Sequence, residues 1–157
     1  MSESQRKQAW ITALRLLTAT PKSSGELARK LREKGYGGAV VRETLRELEA
    51  KGVLSDRSYA QNIVAKYSLS QPSGTNRIRF ELMRRRIPAP IREEALSILT
   101  PESEMDRARE IGLQRWNRFQ SLPAEKRKKR TYDFLIRRGF SFDIVRELIE
   151  ELSEAKP

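Results

Sequence analysis

The feature of this sequence that most constrains its fold is a threefold self-similarity. Three segments, 26–48, 77–99 and 130–152, align without gaps at spacings of 51 and 53 residues. Five aligned positions are apolar in all three, whereas chance would give about one at this apolar content. These positions are Leu31/Leu82/Leu135, Tyr36/Ile87/Phe140, Val40/Ile91/Ile144, Leu45/Leu96/Ile149 and Leu48/Leu99/Leu152. Such a repeat predicts an array of similar modules, each packed against its neighbours.

Each segment has the pattern of two short helices joined by a sharp turn. The turns are predicted at 34–38, 86–90 and 139–141. Ser23 and Glu26 have capping-box spacing, and Ser141 is placed to cap the last helix. Another helical pattern precedes each pair, and no alternating strand pattern of useful length occurs. We therefore predict an all-α fold of three tandem three-helix repeats, about nine helices in total.

Clusters of turn residues mark the limits of the repeats. Such clusters lie at 20–25, 70–75 and 121–123, and Thr100 with Pro101 has the pattern of an N-cap followed by the first residue of a helix. We predict a first repeat at 1–54, a second at 55–99 and a third at 100–157.

The charge balance indicates an anionic partner. The chain has 32 Lys and Arg against 21 Asp and Glu, a formal charge of +11, and it has no Cys and no His. Disulfides, thiolate nucleophiles, imidazole bases and Cys/His zinc sites are thereby excluded. Paired acids such as Glu93 and Glu94 point about 100° apart on a helix and cannot converge on one metal. We expect no enzyme, catalytic residue, metal site or cofactor; a nuclease would need an acidic cluster that the sequence does not show.

No segment has the length and apolarity of a membrane-spanning helix. Charges recur every few positions, and Arg15 interrupts the apolar run at 9–20 that most resembles a signal peptide. We expect a cytoplasmic protein with no membrane partner, and the lack of Cys is compatible with a reducing compartment.

Two stretches carry most of the excess positive charge and supply the candidate anion-binding residues. These are Arg77, Arg79, Arg84, Arg85, Lys126, Arg127, Lys128, Lys129, Arg130, Arg137 and Arg138. Several guanidinium groups on a rigid array suit phosphate or carboxylate ligands. The alternative is a surface that only keeps the protein in solution.

Aromatic residues are interleaved with the second basic stretch. They are Tyr132, Phe134, Phe140 and Phe142. Because most of them fall in apolar positions of the repeat, we favour packing in the core over stacking on nucleic-acid bases.

One local pattern favours a different fold. Residues 21–54 look like the helix-turn-helix part of a winged-helix DNA-binding domain, whose recognition helix would lie at 39–51. That alternative, a transcription regulator, requires a β-hairpin directly after Leu54. The residues that follow have helical spacing instead, with a cap at Ser55 or Asp56.

The ordered set of motifs resembles the RecX family of bacterial recombination regulators over nearly the whole chain. The segments that carry the resemblance are ALRLLT, ELARKLREKGY, VRETLRELEAKGVLSDRSYAQNIV, NRIRFELMRRRI and RRGFSFDIVRELI, and the best match lies at 137–146. Arg86 departs from the family pattern, which usually has Gly at the second turn, and Pro88 and Pro90 follow it.

The resemblance implies an elongated, curved helical array without enzymatic activity. It implies a protein that docks in the groove of the RecA filament on single-stranded DNA and, in most members, inhibits ATP hydrolysis and strand exchange, and thereby recombination and the SOS response. Direct contact with single- or double-stranded DNA is implied as well. We expect a monomer that acts sterically and electrostatically, and the sequence leaves open whether it inhibits or stimulates the recombinase.

Overall fold

The computed structural model describes residues 2–155, and nine α-helices account for most of them. Their bounds are α1 Glu3–Ala19, α2 Ser24–Glu33, α3 Gly38–Ala50, α4 Asp56–Ala65, α5 Thr75–Arg84, α6 Ala89–Leu96, α7 Pro101–Arg118, α8 Ala124–Arg137 and α9 Phe142–Glu154. A π-helical turn, Lys66–Ser70, continues α4. No strand occurs within residues 2–155, so the all-α prediction is confirmed. The hairpin that the winged-helix alternative requires is absent, because α4 begins two residues after Leu54.

The chain divides into two compact units. One contains the residues up to Gln61 together with Leu82–Arg92, and the other contains Asn62–Glu81 and the residues from Glu93 onward. The divisions fall inside α4, α5 and α6, so the second repeat contributes residues to both units. The boundaries predicted for the three repeats stay a prediction.

The repeated apolar positions form the cores. Leu31, Leu82 and Leu135, which occupy the same position in the three repeats, are fully buried. In the first unit Leu31 packs with Leu27, Val41 and other residues of α1 to α3. The third repeat has its own cluster, which contains Leu135 and residues of α7 and α9. The threefold pattern therefore marks a leucine position that is buried in all three repeats.

The predicted helix caps are present. Ser23 and Glu26 exchange hydrogen bonds between side chain and backbone at 3.1 Å in both directions. Thr100 caps α7, whose first residue is Pro101. The Ser141 hydroxyl accepts a hydrogen bond from the Ile144 N–H. These side chains satisfy N–H groups that have no acceptor within the helix.

The middle helix of every repeat ends in the same Schellman turn. The residue after the cap has positive φ in each case: 95° at Gly35, 58° at Arg86 and 87° at Gly139. The next N–H donates to the carbonyl five residues back, from Tyr36 to Leu31, from Ile87 to Leu82 and from Phe140 to Leu135, at 3.1 to 3.2 Å. Glycine suits this left-handed position because it has no Cβ to crowd the carbonyl oxygen.

Arg86 is therefore a strained residue, and replacing it with glycine is expected to stabilise the protein. The left-handed conformation costs a residue with a Cβ about 1–2 kcal/mol. The greater chain entropy of glycine in the unfolded state offsets about 0.5–1 kcal/mol of that gain. We expect Arg86→Gly to raise the free energy of unfolding by about 0.5–1 kcal/mol, measured by urea denaturation.

Arg86→Ala is the matched control, because it removes the same charge and keeps the Cβ. It should give no comparable gain. Equal stabilisation by the two variants would assign the effect to charge and not to backbone conformation.

Within each unit, this turn packs on the start of the middle helix of the preceding repeat. In the first unit, the Ser23 hydroxyl donates to the Arg85 carbonyl, and a Cβ on Gly25 would lie 2.8 Å from the Arg86 Cβ. In the second unit, the Gly74 N–H donates to the Arg138 carbonyl at 2.9 Å. The two contacts use equivalent positions of the repeat.

An acid of the following repeat reinforces this contact in both units. Asp56, at the start of α4, accepts a hydrogen bond from the Ser24 N–H at 2.7 Å. Glu104, in the first turn of α7, accepts one from the Thr75 hydroxyl at 3.2 Å. Ser24 and Thr75 hold equivalent positions, so the repeats share a polar contact as well as an apolar core.

Candidate anion-binding surface

The predicted basic residues lie on two helices and their ends. Helix α5 carries Arg77, Arg79 and Arg84, and Arg85 follows it directly. Helix α8 carries Lys126 to Arg130 and Arg137, and Arg138 is its C-cap. The structure divides the eleven residues into those that face solvent and those that are partly buried. The exposed residues are Arg77, Arg84, Lys126, Lys129, Arg130 and Arg137.

A basic residue recurs at the end of the middle helix, and in the second and third repeats its side chain is partly buried and donates a hydrogen bond within the protein. Arg85 donates from Nη1 to the Tyr59 hydroxyl at 2.8 Å. Arg138 donates from Nη2 to the Pro72 carbonyl at 2.8 Å, and its guanidinium lies 5.8 Å from the Phe134 ring centre. A cation at the C-terminus of a helix is also stabilised by the negative end of the helix dipole.

Arg127 is held by Trp116. Its Nε donates to the Trp116 carbonyl at 2.8 Å, and its guanidinium lies 3.9 Å from the centre of the indole ring. Stacking of a guanidinium on an indole is among the stronger cation–π arrangements. Arg127 therefore joins α8 to α7.

Three more of the predicted residues form ion pairs with nearby acids. Arg79 lies 3.6 Å from a Glu93 oxygen, Lys128 lies 3.7 Å from Glu125, and Lys129 lies 3.2 Å from Asp133. All three pairs are partly exposed to solvent, where such pairs contribute little to stability. They reduce the local positive charge without burying the cations.

The exposed cations of α8 include a stripe along one face. Lys126, Arg130 and Arg137 are four and seven residues apart, so their side chains project within about 40° of one another around the helix axis. The stripe is about 16 Å long at the rise of an α-helix. We call these three residues the α8 stripe. No ion pair to an acid of residues 2–155 involves any of them.

Comparison with known proteins shows the family. Three family models match in order, described as RecX first, second and third three-helix domain, at residues 9–48, 55–96 and 102–149. The chain belongs to the RecX family.

Curated RecX proteins match almost the whole chain. The protein named Regulatory protein RecX from Chlorobium phaeobacteroides strain BS1 is 30% identical over 155 residues, which are 97% of this chain and 98% of that protein. The protein of the same name from Leptothrix cholodnii is 37% identical over 139 residues, 87% of this chain and 84% of that protein. These matches support a RecX regulatory role.

A solved RecX structure confirms the fold. The crystal structure of RecX from Lactobacillus salivarius superposes with a TM-score of 0.87 at 21% sequence identity, covering 98% of this chain and all of that one. The tandem array of three-helix domains is therefore the RecX fold.

The aromatic residues of the third RecX repeat follow the packing interpretation only in part. Phe140 is buried in the core, as expected, and Tyr132 and Phe134 are half-buried. Phe142, the first residue of α9, is 62% exposed, so the core prediction is wrong for this residue. Its side chain lies outside the face of α9 that contains the buried Ile144 and Val145.

Two residues that the structure of this RecX chain singles out are not among the candidates predicted from the sequence. Arg107 is buried and donates hydrogen bonds to three oxygen atoms of the second unit. Phe80 is 60% exposed on α5. Its spacing from Arg77, three residues along a helix, is the signal that could have identified it.

The described part of this RecX family member has neither a metal-binding group of side chains nor a helix suited to a membrane. Within residues 2–155, no group of three or more Asp and Glu side chains is arranged to hold a metal ion. None of the described helices has the length and apolarity to cross a membrane. RecX is a regulatory family, which is consistent with a protein that is not an enzyme.

Proposed function

We propose that this chain binds the filament that the RecA recombinase forms on single-stranded DNA and lowers its ATPase and strand-exchange activity. Membership of the RecX family over almost the whole chain supports this regulatory role. The observation that carries the proposal of a surface for docking on anions is the α8 stripe, three exposed cations on one helix face.

The composition of α8 supports its role in binding. Residues 124–138 contain seven basic residues against two acidic ones. Cations fixed on one helix can contact successive carboxylates or phosphates, and several weak contacts on one rigid element add through their effective concentration. Complementary charge also speeds association and suppresses partners of the wrong sign.

The mechanism that we propose is steric and electrostatic. The sequence contains no His and no Cys, so acid–base chemistry at an imidazole or attack by a thiolate is unavailable to it. A protein that occupies a groove of the filament hinders both the entry of a second DNA strand and the movements that accompany ATP hydrolysis. We further propose that the chain acts as a monomer in the cytoplasm and that it also contacts DNA.

Titration of a RecA ATPase reaction on single-stranded DNA tests the function. We expect the wild-type chain to lower the rate, and Lys126→Glu/Arg130→Glu to need about ten times more protein for half of the effect. Reversing two charges of the stripe turns attraction to an anionic surface into repulsion. The difference should shrink as salt is added, because exposed charges are screened.

The matched control is Lys7→Glu/Arg15→Glu, which reverses two exposed charges on α1 outside the basic runs. This variant should inhibit like the wild type. An unchanged ATPase rate at saturating wild-type protein would refute the proposed function, and equal losses in the two double variants would refute the role of the α8 stripe.

A further inference from the structure

A cavity of about 360 Å³ lies within the second unit, where the start of α5 meets the turn between α8 and α9. It is lined by Asn76, Arg77, Phe80, Glu81, Arg137 and Gly139. The backbone around it is held in place, since the Asn76 N–H donates to the Gly139 carbonyl at 3.1 Å. Its volume lies in the ordinary range for small-molecule sites, roughly 300–1,000 Å³.

Two exposed arginines stand at this cavity without an acidic partner. Neither Arg77 nor Arg137 forms an ion pair with an acid of the described part of the chain. The neighbouring Arg138 has its pKa lowered, first by burial and then by the positive charges of Arg77 and Arg115. Mutual repulsion among cations is relieved when an anion binds, so the site is electrostatically prepared for one.

The cavity also contains an exposed aromatic ring. Phe80 lies one helical turn from Arg77 and is 60% exposed, although a phenyl group normally gains by burial. Glu81, the next residue, also lines the cavity and is buried.

We propose that this cavity binds one nucleotide of single-stranded nucleic acid, with the base stacked on Phe80 and the flanking phosphates bound by Arg77 and Arg137. A nucleotide supplies a flat face and an anion in the same repeat unit, which matches a cavity lined by an aromatic ring and two cations. In a duplex the base faces are covered by stacking, so an unpaired strand fits better. The proposal deepens the proposed function, since it names a site for DNA, and it rests on that function only for the choice of DNA.

Fluorescence anisotropy with the full-length chain and no recombinase tests the site. The probe is a fluorescein-labelled thymidine oligonucleotide of about 16 nucleotides, compared with an abasic strand of the same length. We expect Phe80→Ala to weaken binding of the thymidine strand about tenfold and to leave binding of the abasic strand unchanged. Arg77→Ala/Arg137→Ala should lower the slope of log K against log salt by about 1.4, since each phosphate contact on a single strand contributes about 0.7.

Matched controls separate this site from a general surface effect. Phe142→Ala removes a phenyl group of equal exposure that does not line the cavity, and Arg146→Ala removes an exposed charge from α9. Both variants should bind the thymidine strand almost like the wild type. Phe80→Trp gives a direct signal, because indole fluorescence at this position should fall when a base stacks on it.

Three results would overturn the proposal. They are wild-type affinity of Phe80→Ala for the thymidine strand, an equal loss on the abasic strand, and displacement of the strand by a polyglutamate peptide whose binding depends equally on Phe80. The last result would assign the cavity to an acidic protein segment. The RecA ATPase titration decides the proposed function separately, so either conclusion can fail without the other.

Discussion

Replacing Gly139 with alanine is expected to destabilise the second unit by about 4 kcal/mol or more. A Cβ at this position would lie 2.4 Å from both the backbone N and the Cβ of Arg77. These atoms belong to α5 and cannot move without breaking the hydrogen bond that joins it to the turn, which the Asn76 N–H donates to the Gly139 carbonyl at 3.1 Å. The positive φ of 87° adds conformational strain to the clash.

Gly35→Ala is the matched control for this variant. Gly35 occupies the same position of the turn in the first repeat, with a φ of 95°, but a Cβ there would meet no atom within 4 Å. Its replacement should cost only the left-handed penalty, about 1–2 kcal/mol. The difference between the two variants therefore measures the contact between repeats.

Tryptophan fluorescence during urea unfolding measures the stability of each unit separately. Trp116 is buried in the second unit and reports on Gly139→Ala in a Trp10→Phe background. Trp10 packs on the core of the first unit and reports on Gly35→Ala in a Trp116→Phe background. If Gly139→Ala and Gly35→Ala proved equally destabilising, the packing of the turn against α5 would not be a source of stability.

Replacing Arg107 with methionine is expected to destabilise the same unit by about 3–5 kcal/mol. Arg107 is only 7% exposed and donates from Nε to the Ser73 carbonyl at 2.9 Å, with further bonds to the hydroxyls of Ser103 and Thr75. Burial lowers its pKa and the nearby Glu104 carboxylate raises it, so the two buried charges compensate each other. Methionine has a similar length but leaves Glu104 without this cation and the Ser73 carbonyl without its donor.

A double-mutant cycle with Glu104→Gln isolates the coupling between the two charges. Because the double variant has no uncompensated carboxylate, its loss of stability should be clearly smaller than the sum of the two single losses. Arg109→Met is the control on the same helix, since Arg109 is exposed and pairs with Glu151 at 2.8 Å in solvent, so its removal should hardly change stability. Additive losses for Arg107 and Glu104 would mean that they act independently.

The repeat and its cores were predictable because they rest on local rules. Apolar positions that recur at helical spacing must face an interior, and Leu31, Leu82 and Leu135 do so in all three repeats. Ser23 and Ser141 cap helices because a hydroxyl at that place satisfies backbone N–H groups, whatever the rest of the fold. The turn residue Arg86 shows the limit of such rules, since it adopts a conformation that its own side chain disfavours.

The sequence showed where basic residues are concentrated, but it did not show which of their side chains are exposed to a partner. The sequence places Arg127, Arg138 and Arg130 in one basic stretch with nothing to distinguish them. In the structure Arg127 stacks on Trp116 and Arg138 binds the Pro72 carbonyl, whereas Arg130 is exposed. The partners of the first two residues lie 11 and 66 residues away along the chain, so only folding brings them together.

By itself, the sequence determined the all-α class, the threefold repeat, the helix caps and the family, because each follows from residue patterns within a few helical turns or from the order of motifs. Only the tertiary structure decided which cations remain available to a partner, why Gly139 and Arg107 matter, and that the exposed Phe80 lines one cavity with two arginines. These properties depend on contacts between residues far apart in the chain, and no local propensity encodes the distance between such residues.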